Sequence, residues 1–374
     1  MKKIKIMHVI TDDNIGGAGK WVLNFLEFFN REKFKTFVIL SKKSKLNEYL
    51  EKYTEDDNIE VINLNGIGDK SFDKADIKKF QRVFDDIKPD IVHTHASLSA
   101  RIAAKRSKVK FKINTKHCME FPEKNVVKKI IKRTVYNRYC DRTIACAKEV
   151  KRALVVNMGL KDEAVTVVYN GVKSLSKLSD NEIKALRKKY GVSDDEYVVG
   201  AVARLEDVKD IDTFVNGANE VLKIRTDVKF LIAGVGSLEE ELKEKVIKLG
   251  IEKNVIFVGF IKDVEAYENI LDILVNSSKS EALCIAILEC MSIGVPTVAT
   301  SVGGVPEIIT SGKSGELYAV GDYKTLAVKI TSLLDDKDRY KKYSENSVKI
   351  IKEKFSLEKV TRELEDIYIK SLMN

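Results

Sequence analysis

Residues 196–260 read EYVVGAVARLEDVKDIDTFVNGANEVLKIRTDVKFLIAGVGSLEEELKEKVIKLGIEKNVIFVGF. Three short runs rich in β-branched residues, at 196–204, 228–234 and 255–260, alternate with two longer segments of helical period. This alternation is typical of βαβ units, in which helices cover both faces of a parallel sheet. The stretch therefore predicts an α/β fold.

The same alternation extends through nearly the whole chain of 374 residues. The turn Asn170-Gly171 and a polar stretch separate two series of strands, and we take this segment as an interdomain link. We predict two Rossmann-like domains, residues 1–172 and 173–374. For the last helix of the chain, the sequence leaves open a return to the N-terminal domain. We expect no strand after Pro306 and two or three amphipathic helices over residues 322–373. The other predicted strands are residues 3–10, 36–40, 59–64, 90–95, 111–117, 142–147, 165–170, 272–277 and 296–301.

The composition indicates a soluble, cytoplasmic protein. No apolar run reaches the ~18–20 residues that a membrane span needs, and two Asp interrupt the apolar start of the sequence. The five cysteines are odd in number and include no C-x-x-C pair, which fits a reducing compartment.

The positive charge is concentrated in one stretch. Residues 101–152 hold 17 Lys and Arg against 4 Asp and Glu, within a chain of net charge +9. This excess predicts an anionic partner: nucleic acid, a membrane surface or a phosphate-bearing substrate. Few aromatic residues are interleaved with the basic ones, which argues against nucleic acid.

Residues 124–139, KNVVKKIIKRTVYNRY, form the basic amphipathic helix of this stretch. Two interpretations stay open. The helix packs on its own domain with a solvated basic face, or it docks on anionic lipid headgroups, where each basic residue contributes roughly 1 kcal/mol.

Two glycine-rich turns follow predicted strands. Gly16 and Gly17 precede a helix, and free N–H groups at a helix N-terminus favour an anion. Gly234 and Gly236 form a weak dinucleotide fingerprint that lacks its third glycine. The alternatives are a flexible turn for the first pair and a tight βα turn for the second.

Four charged residues follow predicted strands of the second series. They are two carboxylates, Glu281 and Glu289, and two cations, Arg204 and Lys209. Glu281 lies in a loop and Glu289 lies in an apolar helical segment, where a carboxylate needs hydrogen-bond partners. Hydroxyls of a sugar or ribose are suitable donors, and an internal salt bridge is the alternative. Arg204 and Lys209 are the pair of side chains that commonly binds a diphosphate, although such a pair in a loop is often only solvated.

The run from Ser280 to Glu307 resembles the E-x7-E and Gly-Gly-x-Pro-Glu signature of retaining nucleotide-sugar glycosyltransferases with the GT-B fold. HVITDDNIGGAG, DIVHTH, TKH and YNGV resemble the N-terminal landmarks of that family in the same order. The resemblance covers essentially the whole chain and implies two facing Rossmann-like domains with a ligand cleft between them.

The resemblance also implies roles for individual residues. Glu289 would bind the ribose; Glu281, with the backbone after it, would bind the donor sugar. Arg204 and Lys209 would bind the donor diphosphate. The predicted catalytic residues are His117, Arg204, Lys209 and Glu281, and the predicted substrate-binding residues are Gly16, Gly17, His95, Gly234, Gly236, Ala282, Leu283, Cys284, Ile285 and Glu289.

The sequence departs from the family pattern at two places. Ala282-Leu283-Cys284 replaces the usual Gly-Phe-Gly, and Ala203 replaces a glycine before Arg204. These departures leave the identity of the donor sugar open. His8 and His93 are expected to be core positions within strands.

The implied reaction is transfer of a hexose or N-acetylhexosamine from a nucleotide diphosphate sugar, with a UDP-sugar favoured and configuration retained. The acceptor is expected to be a membrane-linked glycan or polyprenyl-linked lipid, which places the enzyme on the inner face of the membrane. No metal is expected, because the D-x-D runs at 210–212 and 336–338 lie at helix starts, where Asp is a preferred cap. The alternatives are a GT-B-fold nucleotide-sugar epimerase and an NAD-dependent dehydrogenase.

Overall fold

The computed structural model describes residues 2–13, 16–68 and 71–373. The chain forms two compact units, one of Met1–Gly171 with Leu357–Asn374 and one of Val172–Ser356. Each unit contains one parallel sheet with helices between its strands, so the predicted α/β fold with two Rossmann-like domains is confirmed.

The N-terminal unit is built on a seven-stranded sheet of order β3-β2-β1-β4-β5-β6-β7. Its strands are β1 Ile4–Ile10, β2 Phe34–Ser41, β3 Ile59–Leu64, β4 Ile91–His95, β5 Phe111–Lys116, β6 Arg142–Ala145 and β7 Val165–Val167. Its first six helices are α1 Gly17–Phe28, α2 Leu46–Leu50, α3 Lys74–Ile87, α4 Leu98–Arg106, α5 Val126–Tyr139 and α6 Lys148–Ala153. In the register of β1 with β4, His8 lies opposite His93.

The C-terminal unit is built on a six-stranded sheet of order β10-β9-β8-β11-β12-β13. Its strands are β8 Tyr197–Val202, β9 Val228–Ala233, β10 Val255–Gly259, β11 Ile273–Asn276, β12 Thr297–Thr300 and β13 Glu316–Tyr318. Its helices are α7 Asp180–Lys189, α8 Ile211–Leu222, α9 Glu239–Leu249, α10 Val264–Asn269, α11 Ile285–Ser292, α12 Val305–Ile308, α13 Tyr323–Asp335 and α14 Lys337–Ile350.

Strand β13 corrects the expectation that no strand follows Pro306. It has three residues, and Leu317 lies opposite Ala299 of β12. The strand was missed because Glu-Leu-Tyr is short and contains no β-branched residue. Pairing with an existing strand is therefore what makes this segment extended.

The last helix, α15 Leu357–Met373, lies in the N-terminal unit. The division between the units at Gly171 is next to the predicted boundary at residue 172, and α15 is the segment for which the sequence left crossing back open. The helix is attached to the unit by Glu365, which accepts a hydrogen bond from the Asn30 N–H at 2.5 Å, and by Tyr368, which contacts His93.

Apolar side chains fill both faces of the N-terminal sheet. One face is covered by α1 and α15, with Trp21, Phe25 and Leu364 among the buried residues. The other is covered by α3 and α4, with Phe80 and Ala103. Each fully buried large apolar side chain contributes about 1.5–3 kcal/mol, so these layers hold the strand ends in place.

Loops that follow parallel strands gather at the carboxyl edge of a sheet. The predicted site residues lie toward that edge of their own unit. In the N-terminal unit they lie after β1, at the end of β4 and after β5, and in the C-terminal unit they follow β8, β9 and β11. Within the part of the chain that the structure describes, no helix is both long and apolar enough to cross a bilayer.

Candidate functional site

Lys209 and Glu281 form an ion pair in the C-terminal unit, with 2.5 Å between Nζ and Oε1. The buried Glu281 carboxylate also accepts hydrogen bonds from the Ser278 hydroxyl at 2.7 Å and the Asn276 amide at 3.3 Å. Burial works against the charged form of Lys209, but the adjacent carboxylate raises the pKa of this amine above its ordinary value. An internal salt bridge is therefore present at Glu281, and its cation is the lysine predicted to bind the diphosphate.

Gly303 explains part of the glycine-rich motif that follows β12. Its φ is +50°, and an added Cβ would lie 1.6 Å from the Glu281 carbonyl oxygen. The neighbouring Gly304 N–H donates to the Ala282 carbonyl at 3.1 Å. The loop at 302–304 thus lies directly on the backbone of Glu281 and fixes its position.

Gly234 and Gly236 hold the loop that carries Arg204. Gly234 has a φ of +141°, and an added Cβ would lie 1.8 Å from the Ala203 carbonyl oxygen; at Gly236 it would lie 2.3 Å from that of Leu205. The Leu205 N–H donates to the Val235 carbonyl at 3.0 Å. Backbone packing therefore accounts for both glycines, as in the tight-turn alternative, and direct contact with a phosphate stays a prediction.

Arg204 extends from this loop with an exposed side chain just after β8. Lys209 ends the 3-10 turn Asp207–Lys209 that follows, and its carbonyl accepts a hydrogen bond from the Ser277 hydroxyl at 2.9 Å. The fold therefore connects the loop after β8 to the loop after β11, which contains Glu281. This arrangement leaves one exposed and one paired cation at the carboxyl edge of the sheet.

The segment after Glu281 leads into α11. Ala282, Leu283 and Cys284 are buried, and Ile285 begins the helix. Burial raises the pKa of the Cys284 thiol to about 12, so this group is neutral at pH 7. Glu289 is buried about one turn into α11, within a helix that is apolar on almost every side.

The D-x-D runs lie at helix starts. Asp336 caps α14 by accepting from the Arg339 N–H at 2.9 Å, and Asp210 precedes α8 and accepts from the Thr213 hydroxyl at 2.8 Å. Their carboxylates therefore have local roles at helix ends.

Gly16 and Gly17 lie at the start of α1 in the N-terminal unit. An added Cβ at Gly17 would meet no atom within 4 Å, and one at Gly16 would lie 3.3 Å from an Asp12 carboxylate oxygen. Packing does not require glycine at position 17, and binding of phosphate or sugar there stays a prediction. Asn14 and Ile15 of the same sequence landmark lie outside the described residues.

All four histidines of the chain lie together in the N-terminal unit, on β1, β4 and the end of β5. The His8 Nδ1 lies 3.3 Å from His95 Nε2, and the His95 Nδ1 lies 2.8 Å from His117 Nε2. The two nitrogens of His93 contact the Tyr368 and Thr115 hydroxyls, each at 2.6 Å. We call these four rings the histidine ladder.

Burial keeps the histidine ladder neutral at pH 7. It lowers the pKa of His8 from 6.5 to about 3 and that of His117 to about 4, and it takes the pKa values of His93 and His95 well below 6.5. A neutral imidazole has one N–H, so the two bonds along His8, His95 and His117 must run in the same direction. The tautomer of His117 is therefore coupled to the tautomers of His95 and His8 through these two hydrogen bonds.

Three of these rings have nitrogens close enough to hold a metal ion. One nitrogen from each of His8, His93 and His95 lies within 4.8 Å of the others. The hydroxyls of Tyr368 and Thr115 already use both nitrogens of His93, so a metal ion bound by His93 would have to displace one of these two hydrogen bonds.

A cavity of about 500 Å³ opens beside the ladder. His95 and His117 line it, together with Lys116, Lys132 and Arg101. Arg101 is a residue that the sequence reasoning missed. Its only signal is a charged residue among Ala100, Ala103 and Ala104, the small residues that α4 buries.

The apolar face of α5 is exposed. The exposed fractions are 69% for Val126, 64% for Val127, 48% for Ile130 and 55% for Ile131, and no residue of the helix is buried. Val126, Val127, Ile130 and Ile131 therefore do not pack on the domain, whereas Val135 and Tyr136 of the same helix are partly buried. Both interpretations of this helix stay open.

Comparison with known proteins finds two family models that match the chain. The family model described as Glycosyltransferase Family 4 matches residues 15–174, and the one described as Glycosyl transferases group 1 matches residues 182–350. Together the two matches cover most of the chain.

Two relatives show how far the similarity extends along the chain. The N-acetyl-alpha-D-glucosaminyl L-malate synthase of Bacillus anthracis is 30% identical over 187 residues, which are 50% of this chain and 49% of the relative. The chain thus matches about half the length of that relative. The Escherichia coli UDP-Gal:alpha-D-GlcNAc-diphosphoundecaprenol alpha-1,3-galactosyltransferase is 24% identical over 388 residues, covering 100% of this chain and 98% of the relative.

The crystal structure of Anabaena Alr3699/HepE in complex with UDP and glucose superposes with a TM-score of 0.85. The identity is 21%, and the match covers 98% of this chain and 99% of that one. At this identity the likeness shows the fold.

Proposed function

The chain belongs to the GT-B glycosyltransferases, and from this premise we propose that it transfers a hexose or N-acetylhexosamine from a nucleotide diphosphate sugar to a membrane-linked acceptor. We propose a UDP-sugar as donor, retention of configuration, and no need for a metal ion. The observation that carries the proposal is the Lys209–Glu281 pair beside the loop of Arg204. In this arrangement Arg204 and Lys209 would bind the diphosphate, and the Glu281 carboxylate would accept hydrogen bonds from sugar hydroxyls.

The two cations would stabilise the leaving group. Departure of the nucleoside diphosphate builds negative charge on its β-phosphate while the sugar becomes oxocarbenium-like. Arg204 and Lys209 would lie against that charge, with the backbone amides at the start of α11. Preorganised donors of this kind contribute roughly 3–4 kcal/mol each when they are well placed.

Glu281 would position the sugar. A carboxylate offers about four acceptor positions, so one that already accepts from Lys209, Ser278 and Asn276 can still accept from a sugar hydroxyl. Binding would draw Lys209 toward the diphosphate, while Ser278 and Asn276 keep the carboxylate in place. The acceptor would attack on the face of the leaving group, with a diphosphate oxygen as base.

The dehydrogenase alternative loses its main support. It depended on Gly234 and Gly236, and contacts with the backbone of residues 203–205 account for both glycines.

We also propose that α5 attaches the enzyme to an anionic membrane surface. Its exposed apolar side chains are flanked by Lys128, Lys129, Lys132 and Arg133. Apolar insertion and charge attraction act together in such helices, and the charge contribution is screened by salt.

Vesicle sedimentation tests the membrane proposal. The protein should sediment with vesicles made of phosphatidylglycerol mixed with phosphatidylcholine. Less protein should sediment with vesicles of phosphatidylcholine alone. Changing the four basic residues of α5 to Gln should release it. Changing the exposed Lys341, Lys342, Lys349 and Lys352 to Gln removes the same charge and should have no effect. Equal release by both variants would contradict a role for α5.

A panel of nucleotide sugars, screened by thermal shift, tests the donor. A ligand present at 100 times its Kd adds about 2.7 kcal/mol of stability, which is easily measured. We expect a UDP-sugar to give the largest shift. A panel without any shift would contradict the proposed function.

A further inference from the structure

Arg101 of α4 is a buried cation at the wall of the cavity beside the histidine ladder. Its residue is 3% exposed, and its Nη1 is buried and has no hydrogen-bond partner. Its Nε makes a long contact of 3.4 Å to the Ser97 carbonyl, and the Tyr136 ring lies 4.5 Å from the guanidinium. Within the described residues, no carboxylate forms an ion pair with it. Burying such a charge is costly unless something neutralises it.

The cavity beside Arg101 is rich in other donors. Lys116, Lys132 and His117 line it, and the His117 Nδ1 is also buried without a partner. The carboxylates at the wall are Asp12 and Glu120; Glu120 contacts Lys116 at 2.7 Å and Lys132 at 3.6 Å. A guanidinium fork with nearby ammonium groups is suited to a tetrahedral oxyanion such as phosphate.

An apolar groove of about 620 Å³ adjoins this cavity. Leu98 and Val135 line both spaces, so the two are immediate neighbours. Phe72, Ile77 and Ile102 supply most of the apolar wall of the groove. Its remaining lining residues are Lys74, Lys78, Arg106 and Tyr139.

We infer that these two spaces bind the acceptor as an alkyl-chain phosphate, with the phosphate at Arg101 and the hydrocarbon chain along Leu98, Val135 and Ile102. The inference rests on the proposed function and names the class of acceptor: a phosphate or diphosphate that carries a long hydrocarbon chain. Arg101 is then a specificity residue for the anionic group of the acceptor. Val135 of α5 lines the groove, and the exposed apolar side chains of the same helix precede it in the sequence. A hydrocarbon chain would enter the groove from the side of this helix.

Farnesyl phosphate, farnesol and inorganic phosphate test the inference when each is titrated into the full chain. Trp21 is the single tryptophan, its ring lies 6.1 Å from that of His117, and its fluorescence reports binding. We expect farnesyl phosphate to bind at least tenfold more tightly than either farnesol or inorganic phosphate. Arg101→Met should remove that preference and leave farnesol binding unchanged.

Two further variants keep the test decisive. Arg82→Met removes an exposed arginine of α3 that lines neither space, and this variant should bind farnesyl phosphate like the wild type. Val135→Phe narrows the junction of the two spaces from a partly exposed helix position without adding a tryptophan. This variant should weaken the binding of farnesyl phosphate at least tenfold, and it keeps the test decisive even if Arg101→Met does not fold.

Equal affinity for farnesol and farnesyl phosphate would overturn the inference, and so would wild-type binding of farnesyl phosphate by Arg101→Met or Val135→Phe. Thermal shifts with UDP-sugars on the same samples separate this failure from a failure of the proposed function. A protein that binds a UDP-sugar but does not discriminate between farnesyl phosphate and farnesol refutes the acceptor assignment alone.

Discussion

Lowering the pH from 7 to 5 should selectively destabilise the N-terminal unit. All four histidines lie in that unit, and burial lowers the pKa of each below 6.5. The unfolded chain therefore binds protons on these rings at a pH where the folded chain does not. Stability from such groups is complete above about pH 6.5 and is lost as the pH falls toward the folded pKa values.

The size of the loss follows from the pKa values. A ring with a pKa of 6.5 when unfolded and about 4 or lower when folded loses about 1.9 kcal/mol between pH 7 and pH 5. His8 and His117 together thus account for about 4 kcal/mol, and His93 and His95 act in the same direction. Because whole domains are stable by only about 5–15 kcal/mol, the effect should be large.

Urea unfolding followed by Trp21 fluorescence measures the effect. Trp21 packs against His8, His93, His95 and His117, so its signal reports the N-terminal unit. We expect the urea midpoint to fall steeply from pH 7 to pH 5. His117→Gln should reduce the loss by about 1.9 kcal/mol, because one titrating group is removed.

Hydrogen exchange provides the control. Amides of β8 to β12 lie in the unit without histidine and should keep their protection over the same pH range, once intrinsic exchange rates are corrected. The reasoning is refuted if the free energy of unfolding reported by Trp21 is constant or rises between pH 7 and pH 5. It is also refuted if His117→Gln loses as much stability as the wild type.

Three further predictions concern the donor site. Gly303→Ala should destabilise the C-terminal unit and abolish UDP-sugar binding in the thermal-shift assay, because the new Cβ meets the Glu281 carbonyl oxygen. Gly312 also has a positive φ, but a Cβ added there meets no atom within 4 Å, so Gly312→Ala should retain binding in the same assay. Arg204→Ala and Glu289→Ala should each weaken donor binding or turnover tenfold or more, since a hydrogen bond to a charged group is worth about 1.5–3 kcal/mol; unchanged kinetics in both would contradict the site. Turnover should persist in excess EDTA, whereas a full loss restored by Mn²⁺ or Mg²⁺ would indicate a metal-dependent reaction.

Local patterns were enough to predict most of the fold. Runs of β-branched residues separated by helical periods identified every strand except β13, whose three residues carry no such pattern. The helical period over residues 124–139 also predicted α5 correctly. Whether the apolar face of that helix meets another element depends on long-range packing, which a periodicity does not contain.

The contacts at the candidate sites depend on the same long-range information. Lys209 and Glu281 are separated by 72 positions, so their pairing arises only when β8 and β11 become neighbours. His8 meets His95 because β1 and β4 pair in a particular register. Arg101 was missed because a charged residue in a helix is expected to face solvent, and only the folded structure shows it buried.

The most direct test of the central claim is an NMR time course of the sugar released from the UDP-sugar that gives the largest thermal shift. Transfer of the sugar to water or to an acceptor should release UDP. The sugar product that forms first should have the same anomeric configuration as the donor. Arg204→Gln should slow this release at least tenfold, because the exposed cation would no longer stabilise the leaving diphosphate. A first product of the opposite configuration, or UDP release at the wild-type rate from Arg204→Gln, would contradict the proposed reaction at this site.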